Sequence, residues 1–436
     1  MKTLFKKAVI SILSWEARMV LKKYKPKIVG VTGSVGKTST KDAIYTVLSA
    51  KFKTRKSQKS FNSEFGVPLT ILGLPNGWNN PFIWLLNIIE GFLFFVLPFK
   101  YPEWLVLEIG ADMPGDIKKI TEWVKPDVSV ITRFGDVPVH VEFFPSIEDL
   151  INEKGHLARA LKPDGTLILN NDDKRVIAFG ESDLHKKITY GREFGAQVHA
   201  TDERIAYKKY ENSELEFPEG INFKINHAGT SIPAYVHETL GYQHMYPILA
   251  ATAVGISQGM NLVEISEALE NHQSPKGRMR LIAGNRDTLI VDDTYNSSPV
   301  AAHAALEALT ELKLAGRKIA VLGDMMELGD YSIDEHKKIG EAAAKTVDLF
   351  VAVGIRMRGA AEAALDAQMD EMSVMQFDTS VEAAQFLEKI IKPGDIVLIK
   401  GSQSMRMERA VEEIMRHPEH AEDLLVRQDK QWIAKK

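Results

Sequence analysis

Residues 27–40 read Lys-Ile-Val-Gly-Val-Thr-Gly-Ser-Val-Gly-Lys-Thr-Ser-Thr. Gly33, Ser34 and Gly36 give a backbone able to turn tightly, and Lys37, Thr38 and Ser39 follow with an amine and two hydroxyls. The amides of such a turn, with the positive end of the helix that follows, cradle phosphate oxygens. Lys37 is placed to reach β- and γ-phosphates and the Thr38 hydroxyl to ligate Mg²⁺. The general phosphate-loop pattern has a further glycine where Val31 stands, so the loop is the shorter Thr-Gly-x-x-Gly-Lys-Thr form. A second group suits the same ion. Glu108 ends the apolar run from Trp104, and a carboxylate at the C-terminal end of a parallel strand can hold Mg²⁺ directly or through water. His140 and Lys154 follow the next strand. Taken alone, residues of these types are more often structural or exposed.

The elements that must position these groups follow from apolar periodicity. Ile28–Val31, Trp104–Ile109, Asp127–Thr132 and Gly165–Leu169 read as buried strands, with helices at 39–50 and 115–124 and around Glu153-Lys154-Gly155-His156. Residues 187–236 change to short β-rich runs, as in an antiparallel appendage. Helices resume near 243–257 and 261–271, and Ser274-Pro-Lys-Gly-Arg278 forms a turn-rich linker. Strands near 287–293, 318–323, 348–353 and 395–400 then alternate with helices, which implies a second parallel sheet. The expected fold class is α/β: a phosphate-loop central domain with a mostly parallel sheet and a β-rich appendage, then a Rossmann-like C-terminal α/β domain. The expected boundaries are 1–26 for a basic N-terminal helix, 27–278 and 279–415 for the two domains, and 416–436 for a charged, frayed tail.

Two stretches stand apart. Residues 2–25 place Leu4, Phe5, Ala8, Val9, Ile12, Leu13, Met19 and Val20 at helical spacing among seven Lys and Arg residues and one acid, Glu16. Such a helix either lies on a membrane surface or docks on its own domain with its lysines in water. Residues 81–99 are the most apolar in the chain. A helix between Pro81 and Pro98 is about 24 Å long, short of a hydrocarbon core of about 30 Å. A span there would also separate strands of one sheet. The segment therefore lies in the interface, re-enters it as a hairpin, or buries against protein.

The 436-residue chain has a formal charge of −4 and no cysteine. Disulfide and thiolate chemistry are excluded, nothing global favours nucleic acid, and a reducing cytoplasm fits. No signal-peptide pattern opens the chain.

Ordered motifs carry a resemblance over about residues 27–415. Val31-Thr-Gly-Ser-Val-Gly-Lys-Thr, Phe61-Asn-Ser-Glu-Phe-Gly-Val-Pro-Leu-Thr, Glu108-Ile-Gly-Ala, Lys125-Pro-Asp-Val-Ser-Val-Ile-Thr and Glu153-Lys-Gly lie in the first half. Gly277-Arg-Met, Asp292-Asp-Thr-Tyr-Asn-Ser-Ser-Pro, Val321-Leu-Gly-Asp-Met-Met-Glu-Leu-Gly with His336, and Val397-Leu-Ile-Lys-Gly-Ser lie in the second. In these motifs the chain resembles the Mur ligases, and among them the branch that adds D-alanyl-D-alanine.

The resemblance implies an ATP-dependent amide ligase that activates a carboxylate as an acyl phosphate and joins it to an amino acid or dipeptide in cell-wall synthesis. It implies that Lys37 binds phosphates, that Thr38 and Glu108 hold one Mg²⁺, and that His140 and a carbamylated Lys154 serve a second. Gly33, Ser34, Gly36, Ser39, His244, Arg278 and Asp293 fall at nucleotide positions, and Asn62, Asn296, Asp324 and Lys400 at substrate positions. Three departures accompany it. His244 and Pro247 replace two asparagines of the adenine pocket, and Gln403 stands where an arginine is usual. The basic N-terminal segment also takes the place of the UDP-sugar domain. The partners implied are a small-molecule or lipid-linked carboxylate and an amino acid or dipeptide, with no nucleic acid and a peripheral contact with anionic membrane. A cytoplasmic monomer, at the inner face of the membrane, is expected. Two other readings stay open: a ligase for a folate- or poly-γ-glutamate-like acceptor, and a dead ATP-binding scaffold.

Overall fold

The computed structural model describes residues 2–58, 61–181, 183–209, 215–313 and 315–433. The side chains of residues 2–5 and 7, including Lys2, Leu4, Phe5 and Lys7, and residues 434–436 lie outside what is described. Strands β1 (Lys27–Thr32), β2 (Thr54–Lys56), β3 (Trp104–Glu108), β4 (Val128–Ile131), β5 (Thr166–Asn170), β6 (Lys186–Gly191), β7 (Val198–Lys209), β8 (Glu216–His227) and β9 (Thr230–His237) form one sheet. Its order is β2-β3-β1-β4-β5-β6-β7-β8-β9. The first seven run parallel, and only β8 and β9 add antiparallel edges. The β-rich stretch is thus continuous with the parallel sheet rather than a separate layer. Ile188 and Tyr190 of β6 are buried in the same core as Val29, Val31 and the apolar helix Met245–Ser257. A helix apolar on all sides is one covered on all sides.

Strands β10 (Arg280–Gly284), β11 (Thr288–Asp293), β12 (Lys318–Gly323), β13 (Leu349–Val353), β14 (Val374–Phe377) and β15 (Ile396–Lys400) form a six-stranded sheet in the order β10-β11-β15-β12-β13-β14. Only β10 is antiparallel. The half-buried edge strand β14 has no counterpart in the sequence reading.

Helix α1 (Lys2–Tyr24) docks on the first sheet's unit through Val9, Leu13, Ala17 and Val20, which are buried with Leu72, Leu105 and Leu107. Of the two readings for this segment, self-docking is the one described, with Lys6, Lys22, Lys23 and Lys25 exposed. Helix α2 (Lys37–Ser49) leaves the phosphate loop, and α3 (Gly66–Leu72) carries the Gly-Val-Pro turn. Helix α4 (Pro81–Val96) buries Trp84, Asn87 and Gly91 and packs against α1. Among the described residues no helix is long and apolar enough to cross a membrane.

The tail does not fray before residue 433. Ala421 and Leu425 are buried, and Arg427 donates to Glu408 at 2.8 Å and to the Thr294 carbonyl at 3.0 Å. Glu408 is buried and takes Arg406 on one oxygen and Arg427 on the other, so a buried ion-pair network fixes a segment whose composition reads as solvated.

Candidate active site

The loop between β1 and α2 is set by two glycines and by the neighbouring strand. Gly36 has φ 84° and Gly33 φ 142°, conformations in which an L side chain is strained. A Cβ at Gly33 would also run into the Thr132 hydroxyl. The Ser34 amide donates to the Arg133 carbonyl at 2.7 Å, and Thr132 Oγ1 donates to the Val35 carbonyl at 2.7 Å. Lys37 Nζ turns back across the loop to the carbonyls of Gly33 (2.9 Å) and Ser34 (3.3 Å).

Parallel pairing sets Glu108 opposite Val31, beside the loop. Its Oε2 accepts from Thr38 Oγ1 at 3.0 Å and its Oε1 from Asn62 Nδ2 at 3.3 Å. Lys41, one turn beyond Lys37 and buried, brings Nζ to 3.9 Å from the same carboxylate. The sequence reading passed over Lys41, although its spacing of four from Lys37 on one helix was visible. The hydroxyl and carboxylate pair is a hard oxygen donor set at a phosphate loop, which fits Mg²⁺.

Helix α5 (Asp116–Thr121) and helix α6 (Ile147–Arg159) separate the two members of Glu153-Lys154. Glu153 turns away from the loop and accepts from the amides of Gly115 (3.0 Å), Ile117 (2.8 Å) and Lys118 (3.0 Å), capping α5. Lys154 is buried and donates to the Gly33 carbonyl (3.1 Å) and to Ser34 Oγ (2.9 Å). Burial, and then the charge of Lys37, holds its amine well below the ordinary lysine range.

His140 lies elsewhere. Its Nδ1 is 2.7 Å from Glu327 Oε2 and its Nε2 3.7 Å from Asp112 Oδ1. The four metal candidates therefore fall in different places: Thr38 with Glu108, Lys154 on the loop backbone, and His140 between two acids. Among the described residues no group of three or more His, Asp or Glu is arranged to hold a metal ion.

A cleft of about 1000 Å³ runs between the two sheets. Lys37, Thr38, Asn62, Glu108 and His140 line one wall, and Asn296, Glu327, Gln403 and Arg406 the other. A narrower cavity behind the loop is lined by Ser39, Gln243, His244, Tyr246, Arg278 and Asp293. Burial first, then the charges of Arg278, His272 and Lys400, pushes His244 down to about 3, so its ring is neutral at ordinary pH.

The other expected residues are divided. Lys400 is buried and pairs with Asp293 at 2.7 Å, lining the narrower cavity behind the loop rather than the main cleft, where its substrate role was expected. Asp324 lines neither cavity; its Oδ1 caps the helix Met357–Asp366 by accepting from the Met357 amide at 2.9 Å. His336 is structural: Nδ1–H donates to the Ser332 carbonyl (2.6 Å) and Nε2 accepts from the Met325 amide (3.0 Å). Arg406 and Trp432 line the cleft, the guanidinium 5.6 Å from the ring centroid. Trp432 carried no motif that sequence reading could have used.

The Mur ligase middle domain matches residues 31–254, more than half of the chain. The chain belongs to the Mur ligase family. The family's C-terminal domain, the glutamate ligase domain, matches residues 277–403. Among curated relatives, the UDP-N-acetylmuramoyl-tripeptide–D-alanyl-D-alanine ligase of Mycobacterium leprae is 30% identical over 87% of this chain and 71% of its own length. That of Bacillus subtilis is 28% identical over 94% and 80%. Two solved MurF ligases superpose at 26% identity. That of Acinetobacter baumannii has a TM-score of 0.74 over 92% of this chain and 79% of its own, and that of Thermotoga maritima, in complex with ADP, 0.73 over 93% and 83%. This Mur ligase is an ATP-dependent acid–amino-acid ligase.

Proposed function

We propose that this ligase joins the free carboxylate of a muramoyl tripeptide to the amine of D-alanyl-D-alanine. The observation that carries the reading is the cleft itself, where Lys37, Thr38 and Glu108 face Asn296, Gln403 and Arg406. The acceptor carboxylate attacks the γ-phosphorus of ATP, ADP leaves, and an acyl phosphate forms. The dipeptide amine then attacks the acyl carbon, phosphate leaves with the bonding pair, and the nitrogen loses a proton. Phosphoryl transfer of this kind needs positioning and charge neutralisation rather than covalent help.

Lys37 supplies positive charge at the phosphates. Thr38 and Glu108 would hold one Mg²⁺, which neutralises charge on the transferred group. In this proposal Lys154 is carbamylated, and it and His140 would serve a second Mg²⁺ that adds positive charge at the phosphates. An amine whose pKa is lowered by burial adds more readily to CO₂ through its nitrogen lone pair, and loss of one proton to solvent would leave a carboxylate-like ligand beside Ser34. His244, Arg278 and Asp293 bind the nucleoside, and Asn62 and Asn296 orient the substrates. The two sheets act as separate domains that close on the cleft. The reaction belongs to the cytoplasm, at the inner face of the membrane, with an acceptor that is either nucleotide-linked or lipid-carried.

The test is ADP release by the purified chain with ATP, Mg²⁺, UDP-muramoyl tripeptide and D-alanyl-D-alanine. ADP and amide product should appear together, and Lys37→Ala should lower the rate by about a hundredfold or more. Nucleotide binding without turnover would make the protein a scaffold and overturn the proposal.

A further inference from the structure

Helix α4 is apolar on two opposite faces, and protein covers only one. Trp84, Asn87 and Gly91 face inward. At the same helical spacing on the other side, Phe82 (65% exposed), Leu85, Leu86, Ile89, Phe92 (48%), Leu93 and Val96 (53%) face out. Trp15 and Ile12 of α1 extend this surface, with the Trp15 ring edge-on to Phe95 at 6.1 Å. Isolated exposed apolar residues need no explanation, but a contiguous stripe of this kind marks an interaction surface.

The charge around the stripe selects the partner. Among the described residues, the exposed ionised groups of α1 and of the residues joining it to β1 are Lys6, Arg18, Lys22, Lys23 and Lys25, and α4 adds one acid, Glu90, at the flank. This basic rim belongs to a chain whose overall charge is −4. Lys23 Nζ also donates to the Phe95 carbonyl (2.8 Å) and Tyr24 OH to the Phe94 carbonyl (3.1 Å), locking the two helices as one plate. Aromatic and apolar side chains rimmed by lysines are the composition of a helix lying in the headgroup region.

We infer that the exposed α4 stripe, with Trp15 and Ile12, seats this ligase on an anionic bilayer surface without crossing it. The plate is fastened to the rim of the cleft. Trp84 Nε1 donates to the Trp78 carbonyl (2.9 Å) and Asn87 Nδ2 to the Pro75 carbonyl (2.8 Å), and Trp78 and Asn76 line the cleft. Seating α4 therefore holds one end of the cleft against the lipid. This rests on the ligase reading and brings the cleft within reach of an acceptor carried on lipid as well as one free in solution.

Flotation of the full chain with vesicles tests the inference. It should float with vesicles of phosphatidylglycerol and phosphatidylcholine at low salt, less at high salt, and poorly with phosphatidylcholine alone. Ile89→Ser/Phe92→Ser/Val96→Ser should lower binding at least about tenfold, since three apolar side chains leave the lipid. Its ADP release with the nucleotide-linked acceptor should stay at the parent level, which also reports correct folding. Failure of the parent chain to float, or equal flotation of the triple variant, overturns the inference. Sedimentation as a dimer that the triple variant dissolves also overturns it, assigning the face to a second copy. Absent ADP release would sink the ligase reading and leave the flotation result standing.

Discussion

His140 Nδ1 lies 2.7 Å from Glu327 Oε2, joining the wall of the nine-stranded sheet to that of the six-stranded sheet. Both residues hold left-handed backbone, φ 70° and 64°. Neither is glycine, and each such conformation costs on the order of 1 kcal/mol or more, so two strained residues meet across the cleft. The His140 imidazole at this distance holds the Glu327 carboxyl below its ordinary range. His140→Ala and Glu327→Ala should each lower kcat/KM for ATP-dependent ligation. The double variant should lose less than the sum, with a coupling of about 0.5 kcal/mol or more. Additive losses in a double-mutant cycle of ADP release would show that the two side chains act independently.

Lys154→Ala should abolish ligation, and formate or acetate should restore part of it by supplying the missing carboxylate near Ser34. With ¹³C-labelled bicarbonate the parent protein should show a carbamate carbon resonance that the variant lacks. Full activity of Lys154→Ala would rule out the proposed role.

Glu153 offers the contrasting case, since its carboxylate serves three amides at the start of α5. Glu153→Ala leaves those donors without their acceptor, which typically costs about 1–3 kcal/mol. Thermal unfolding should shift down measurably, while the KM for ATP changes far less than in Lys37→Ala. An unchanged melting temperature would remove Glu153 from the structural set.

Glu16 gives a pH signature. It is buried in α1 against Gly91 of α4, and its Oε2 has no hydrogen-bond partner among the described residues. Burial pushes its carboxyl up from 4.5 to about 7. A carboxyl whose folded pKa is raised stabilises the fold below the unfolded value and loses that contribution as pH rises through the folded one. Stability should therefore fall between about pH 4.5 and 7 through this group. Glu16→Gln should flatten that part of the profile and melt higher than the parent at pH 8. Parallel melting curves for the two proteins across this window would discount Glu16.

The phosphate loop, Glu108 and the two strand–helix alternations were legible because each is local: glycine spacing, an apolar run, a carboxylate at its end. What adjacent residues do was not. Glu153 and Lys154 follow one another in the chain, yet the helix turn sends one to cap α5 and the other to the loop. Asp293 and Lys400 carry no mutual signal across more than a hundred residues, and only the parallel pairing of β11 with β15 sets them opposite each other. Trp432 is held at the cleft by Arg406, which donates to its carbonyl at 2.9 Å and, with Arg427, binds the buried Glu408, and no property of the tail itself announces this. For α4 the sequence determined that the helix is apolar; tertiary packing decided that one face meets α1 and the other is left uncovered. Periodicity fixes which residues share a face, but what covers that face depends on contacts distant in the chain.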